Sequence, residues 1–214
     1  MYCKFILGGL KIMQKSKITK TILSLVVFAG LIGFKFLSLS NSGDPATISI
    51  EGAEYTIKTD KLRDVKSNGY TLDGVGIYEA VKNLDGKTYV DDAVSINKDG
   101  VKYADVSLAN YGGSSAIAED CTVIAMTFHY QDEFSMGQMI PTYKEALVDG
   151  FNPAGMTKDD IKGKIDSKKE VTEDTDKMLK VEDGDYYCTY SFDDSGVVKT
   201  VEVGIPGSKL KTAS

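Results

Sequence analysis

The chain has 214 residues, 42% of them hydrophobic and 26% charged, which is enough for one ordinary domain or two small ones and too apolar for disorder. Its net charge of -6 argues against a nucleic-acid partner, because phosphates would be repelled rather than neutralised. Trp is absent and His occurs once, which removes multi-histidine metal sites and leaves little for a histidine-based catalyst.

The charge is unevenly distributed. Residues 1–40 contain Lys4, Lys11, Lys15, Lys17, Lys20 and Lys35 and no acid, so the remainder is more acidic than the whole. Between Lys20 and Lys35 the sequence TILSLVVFAGLIGF is uncharged and apolar, and FLSLS follows it. A membrane-spanning helix needs about 20 residues. Residues 21–40 meet that length if Lys35 extends its ammonium to the interface, which predicts a single-pass transmembrane anchor with the membrane as partner. Residues 1–20 then form a basic cytoplasmic head, and the acidic body lies outside the cell, the layout of an exported bacterial protein. The alternative is a signal segment cleaved near Ser40, releasing a secreted body. Met13 opens MQKSKITK, a second candidate start.

Residues 41–46 read as a polar linker. TISIEGAEYTI alternates about Glu51-Gly52, a hairpin pattern. Thr59 suits an N-cap, Leu62 and Val65 share a helical face, and Gly69 suits the left-handed position after a helix. Residues 76–84 add a further helical turn. The period then becomes two, predicting strands over Thr88–Val90, Ala93–Asn97, Val101–Ala109 and Cys121–Tyr130, the last central because it is the most apolar. Pro141, the Tyr143, Ala146 and Leu147 face, and Gly150 predict a helix over 141–150. Thr157 and Asp160 form the capping pair of another. Residues 166–177 read as a charged loop. Strands follow at Lys177–Glu182, Asp185–Phe192 and Val197–Ile205, joined by Asp-Gly and Asp-Asp-Ser-Gly turns, and residues 207–214 form a tail.

Residues 99–110 (DGVKYADVSLAN) lie over residues 183–194 (DGDYYCTYSFDD), and each segment follows a Gly-aromatic pair, Gly69-Tyr70 or Gly150-Phe151. Duplication explains this, and so does a mere likeness between hairpins with Asp-Gly turns. The segments GMTKDDI and DYYCTYSFDDSGVVKTVEV resemble the short-helix-then-strands unit of β-lactamase-inhibitor-protein and SmpA/OmlA-type repeats. More broadly, the exported part resembles uncharacterised anchored proteins of low-GC Gram-positive bacteria. The resemblance to the β-lactamase-inhibitor-protein and SmpA/OmlA-type repeats implies binding to other proteins rather than catalysis. The expected fold class is α+β: an N-terminal transmembrane helix, then short helices on one face of an antiparallel sheet, arranged as two tandem repeats over 47–134 and 135–206.

Candidate chemistry is sparse. His129 lacks a second histidine or thiol at ligand spacing and reads as a surface or edge residue, so no catalytic, metal or cofactor residue is assigned. Cys121 and Cys188, outside a membrane, are candidates for a disulfide, with two buried thiols the alternative. Tyr103, Tyr186 and Tyr190 are candidates for a binding face, with half-buried strand tyrosines the alternative. The expected function is an extracytoplasmic, membrane-anchored, non-catalytic module that binds another envelope protein or component. The alternatives are an envelope hydrolase using paired carboxylates and a structural accessory domain.

Overall fold

The computed structural model describes residues 43–74, 82–135 and 137–206. Its body is built from strands: β1 (Ile48–Ile50), β2 (Ala53–Tyr55), β3 (Thr71–Gly74), β4 (Asn83–Leu84), β5 (Thr88–Lys98), β6 (Val101–Asn110), β7 (Ala116–Ile117) and β8 (Thr122–His129) in the first part. The second part adds β9 (Glu133–Ser135), β10 (Gln138–Ile140), β11 (Leu147–Val148), β12 (Glu170–Asp174), β13 (Met178–Asp183), β14 (Tyr186–Phe192) and β15 (Val198–Gly204). Among the described residues the helices are α1 (Leu62–Lys66) and α2 (Lys158–Lys162), of five residues each, and one 3-10 turn. The fold is therefore predominantly antiparallel β, which corrects the expected α+β class.

No helix among the described residues is long and apolar enough to cross a membrane, so the expected single-pass transmembrane architecture is not supported. The segment on which that expectation rested, residues 21–40, lies outside the described residues, as do the head at 1–20, the tail at 207–214 and most of the helical turn expected over 76–84.

Eight strands form one sheet in the order β12-β13-β14-β15-β8-β6-β5-β3, with every neighbouring pair antiparallel. The chain takes the same path twice within it. After α1 it runs β3, β5, β6 and β8, and after α2 it runs β12, β13, β14 and β15. The last strands of the two meanders, β8 and β15, pair at the centre. Each helix also begins on a bridge to the start of its own meander's last strand, Lys61 to Thr122 and Thr157 to Val197. The Asp99-Gly100 turn joins β5 to β6 with both residues at positive φ, the conformation such two-residue hairpins require.

One face of this sheet carries the core. Val94, Ile96, Val106, Leu108, Met126, Phe128, Val201 and Val203 pack there with Leu62 and Val65 of α1 and Ile161 of α2. Ile48, Ile50, Tyr55 and Val148 of the small β11-β1-β2 sheet belong to the same cluster. The edge strand β12 carries Glu170, Glu173 and Asp174 and a register shift between Val171 and Glu173, features that oppose edge-to-edge pairing.

Three local expectations are corrected. Residues 141–150 form no helix. Instead Leu147 and Val148 pair with Ser49 and Ile48, and the carbonyl of the buried Ala146 accepts the Tyr130 hydroxyl at 2.9 Å. Residues 170–174 are the strand β12 rather than loop. Helix α1 is capped by Asp64, which accepts from the Lys61 backbone N–H at 2.9 Å, while Thr59 lies in the preceding turn. At α2 the Thr157 and Asp160 capping box forms as the sequence suggests, with Thr157 N–H donating to Asp160 at 2.9 Å. Thr157→Ala should lower stability by about 1 kcal/mol, read as a shifted urea midpoint at unchanged slope.

Candidate functional site

Strand alternation puts polar side chains on the face opposite the core. Register connects Asp73, Ser95, Asp105, Thr127, Glu202, Thr189, Lys180 and Glu173 in one row, a residue from each of the eight strands. Beside it runs a second row: Ser107, Ala125, Gly204, Tyr187, Glu182 and Glu170. The Tyr187 ring lies over Gly204, where a Cβ would come within 2.8 Å of the tyrosine hydroxyl and 2.7 Å of the Ala125 Cβ. A residue without a side chain is required there. The Tyr187 hydroxyl donates to Glu202, and the Lys180 ammonium lies 5.3 Å from the ring centroid. Burial, followed by that bond and the nearby carboxylates, raises the Tyr187 pKa well above its ordinary value.

The centre of the face holds a network of charges. His129, at the end of β8, sets Nε2 2.8 Å from Asp105 Oδ2 and Nδ1 2.5 Å from Glu133 Oε1. The Lys102 ammonium lies 2.6 Å from Asp105 Oδ2 and 3.0 Å from Glu133 Oε2. Ser95 Oγ donates to Asp105 Oδ1 at 2.5 Å. The side chains of Lys102 and Asp105 are only 12% and 8% exposed, so neither is left to water. Burial pushes the Asp105 carboxyl up, but the bonds from His129, Lys102 and Ser95 outweigh it and hold it below the ordinary value. Burial lowers the Lys102 pKa, and its two carboxylate partners more than reverse that.

This wiring bears directly on what the site can do. A Ser-His-Asp nucleophile needs the hydroxyl on the imidazole, whereas Ser95 donates to the aspartate and both ring nitrogens face carboxylates. Asp105, His129 and Glu133 bring ligand atoms within 4.8 Å of one another, a spacing that could hold a divalent cation. Lys102 already places a positive charge between the two carboxylates, so a metal ion would have to displace a partnered ammonium. Each carboxylate of the arrangement already has its partners within it.

A second acidic group lies alongside. Between Val90 and Val94 the β5 register shifts, and the bulge carries Asp91 and Asp92, the latter at φ 45 with its N–H donating to Ser107 Oγ at 2.9 Å. Desolvation, then the Asp105, Glu202 and Asp91 carboxylates, raise the Asp92 pKa.

The tyrosines singled out from the sequence lie elsewhere. Tyr103 and Tyr190 are 7% and 1% exposed and belong to the core, and Tyr186 is half-buried against it. Tyr103 stacks on Tyr143 at 4.4 Å and donates to Glu51 at 2.9 Å. The expected binding face over Tyr103, Tyr186 and Tyr190 is therefore corrected: parity places Tyr186 and Tyr190 together, but on the buried side. Tyr187 occupies the polar face.

Cys121 and Cys188 are both buried and free, which corrects the candidate disulfide. Register explains it. Cys188 aligns with Val203, and Val203 with Met126, so the thiols lie two strands apart laterally and five residues apart along the sheet. At about 4.8 Å per strand and about 3.4 Å per residue, that is far beyond disulfide reach. Burial pushes the Cys188 thiol up to about 12 and raises Cys121 as well. Both thiols should resist a water-soluble thiol reagent in the folded protein, react only on unfolding, and leave the melting temperature unchanged by reductant.

Comparison with protein-family models, curated proteins and solved structures found no match. Geometry alone carries the functional reading.

Proposed function

We propose that this protein is an extracytoplasmic, non-catalytic module that binds another protein or an envelope component on the polar face of its eight-stranded sheet. The observation that carries this reading is the in-register polar row across all eight strands, backed on its other face by the whole core. Such a face offers hydroxyl, carboxylate and ammonium groups on a rigid frame, whose positions are fixed by the backbone ladder rather than by loops. The self-satisfied charge network at its centre supports binding over catalysis, since neither His129 nitrogen is available to a substrate.

The test is capture from a native envelope fraction with the intact chain as bait, beside a Thr127→Arg/Thr189→Arg variant whose melting temperature shows that it folds. Wild type should enrich a partner that the variant loses. Identical capture by both proteins, or hydrolysis of envelope glycan by the purified chain, would overturn the reading.

A further inference from the structure

We propose that the β9–β10 hairpin and the carboxylates of Asp92 and Glu202 form one contact surface, for a partner protein presenting an apolar pocket flanked by lysine or arginine side chains. This rests on the binding reading above and names the partner's chemistry. Phe134 and Met139 stand directly opposite each other on the hairpin and are 73% and 63% exposed. Single exposed apolar residues are ordinary, but two large ones paired across a hairpin cost solvation that an isolated protein has no reason to bear. The hairpin is also held in place at its base. Glu133 is bound to His129 and Lys102, and Lys102 N–H donates to the Pro141 carbonyl at 2.9 Å. A pre-set aromatic anchor loses little conformational entropy on docking.

The charge network links this knob to the acidic part of the face. From Glu133 it runs through His129 to Asp105; Glu202 lies beyond Thr127 in the same cross-strand row as Asp105, and the Asp92 N–H is held by Ser107, two residues along β6 from Asp105. Among the described residues neither Asp92 nor Glu202 forms an ion pair, whereas Asp105, Glu133 and Glu182 all do. An occupant that brings cations supplies the ion-pair partners that these two carboxylates lack. A second copy of the chain does not, because a two-fold contact through this patch sets carboxylates against carboxylates. Nucleic acid is repelled. A basic-rimmed apolar pocket complements both halves of the surface.

The test places the photo-crosslinker p-benzoylphenylalanine singly at Phe134, at Thr189 on the polar face, and at Val171 on the sheet edge, in the intact chain in its own cells. Position 134 should give an adduct absent at 171, with the cross-linked segment of the partner bearing apolar and Lys or Arg residues. Asp92→Asn/Glu202→Gln, checked for an unchanged melting temperature, should abolish that adduct. An adduct insensitive to this charge removal, a dimer of the chain, or no adduct at 134 overturns the proposal. An adduct at Thr189 without one at Phe134 overturns it while leaving the sheet-face reading intact. Absence at both positions removes both.

Discussion

Lys102→Met should lower the stability of this fold by about 3–5 kcal/mol, because it removes the ammonium from between two carboxylates of which one is deeply buried. Asp105 then keeps Ser95 and His129 as partners but loses its permanent cation. Removing one member of a buried pair costs more than the pair contributes, since the remaining charge stays desolvated. A double-mutant cycle separates these two quantities. Asp105→Asn should be strongly destabilising in the wild type and markedly less so beside Lys102→Met, with urea unfolding as the readout. Equal costs in the two backgrounds would mean that the contact at 2.6 Å carries no coupling. The pH dependence has a definite sign. The Asp105 pKa is held below its ordinary value, so the stability it contributes is present above the unfolded carboxylate value of about 3.9. That contribution is lost as pH falls through the lower, folded value. Lys102 is held above its ordinary value, and its contribution fades only as strongly alkaline pH passes the folded pKa. Acid unfolding should accordingly begin earlier in Lys102→Met than in wild type.

Much of the strand pattern was legible, and the failures share one cause. The hairpins at Asp99-Gly100 and Asp183-Gly184 were readable because the turn residues and the alternation around them are local signals. The capping box at Thr157 and Asp160 was readable for the same reason. Residues 141–150 carry equally good local helix signals, yet Val148 pairs with Ile48, a hundred residues away, and that contact decides the conformation. Strand β12 was missed because its residues are nearly all charged or polar, and only pairing with β13 makes it a strand. The charge network depends on register in the same way. Asp105 and His129 are 24 residues apart and meet only because β6 lies beside β8. A lysine and an aspartate inside the predicted strand Val101–Ala109, Lys102 and Asp105, were the available signal, since a buried charge demands a partner. For the tyrosines, alternation gave the two faces of β14 but could not say which of them was covered.

That ambiguity is what the second large effect resolves. Phe128 and Thr127 are neighbours in β8 and point to opposite faces. Phe128 is fully buried and pairs with Val201 across the β8–β15 seam, where the two meanders meet. Phe128→Ala empties a site on the core side of that seam, and the hydrogen-bonded ladder on both flanks limits how far the strands can close the gap. The expected cost is about 3–5 kcal/mol, about a fifth or more of the roughly 5–15 kcal/mol a domain has in all. Thr127→Ala, one residue away, leaves no core cavity and should cost less than about 1 kcal/mol, the span of strand propensity. Because β8 joins the two halves, Phe128→Ala should lower a single cooperative unfolding transition rather than release one half early. Guanidinium titrations followed by tyrosine fluorescence and far-UV circular dichroism check both points. Coincident curves shifted for Phe128→Ala and nearly unmoved for Thr127→Ala are expected. Comparable losses at both positions would mean that the face carrying Asp105, Glu202 and Tyr187 is covered, and with it would go the surface on which binding is proposed.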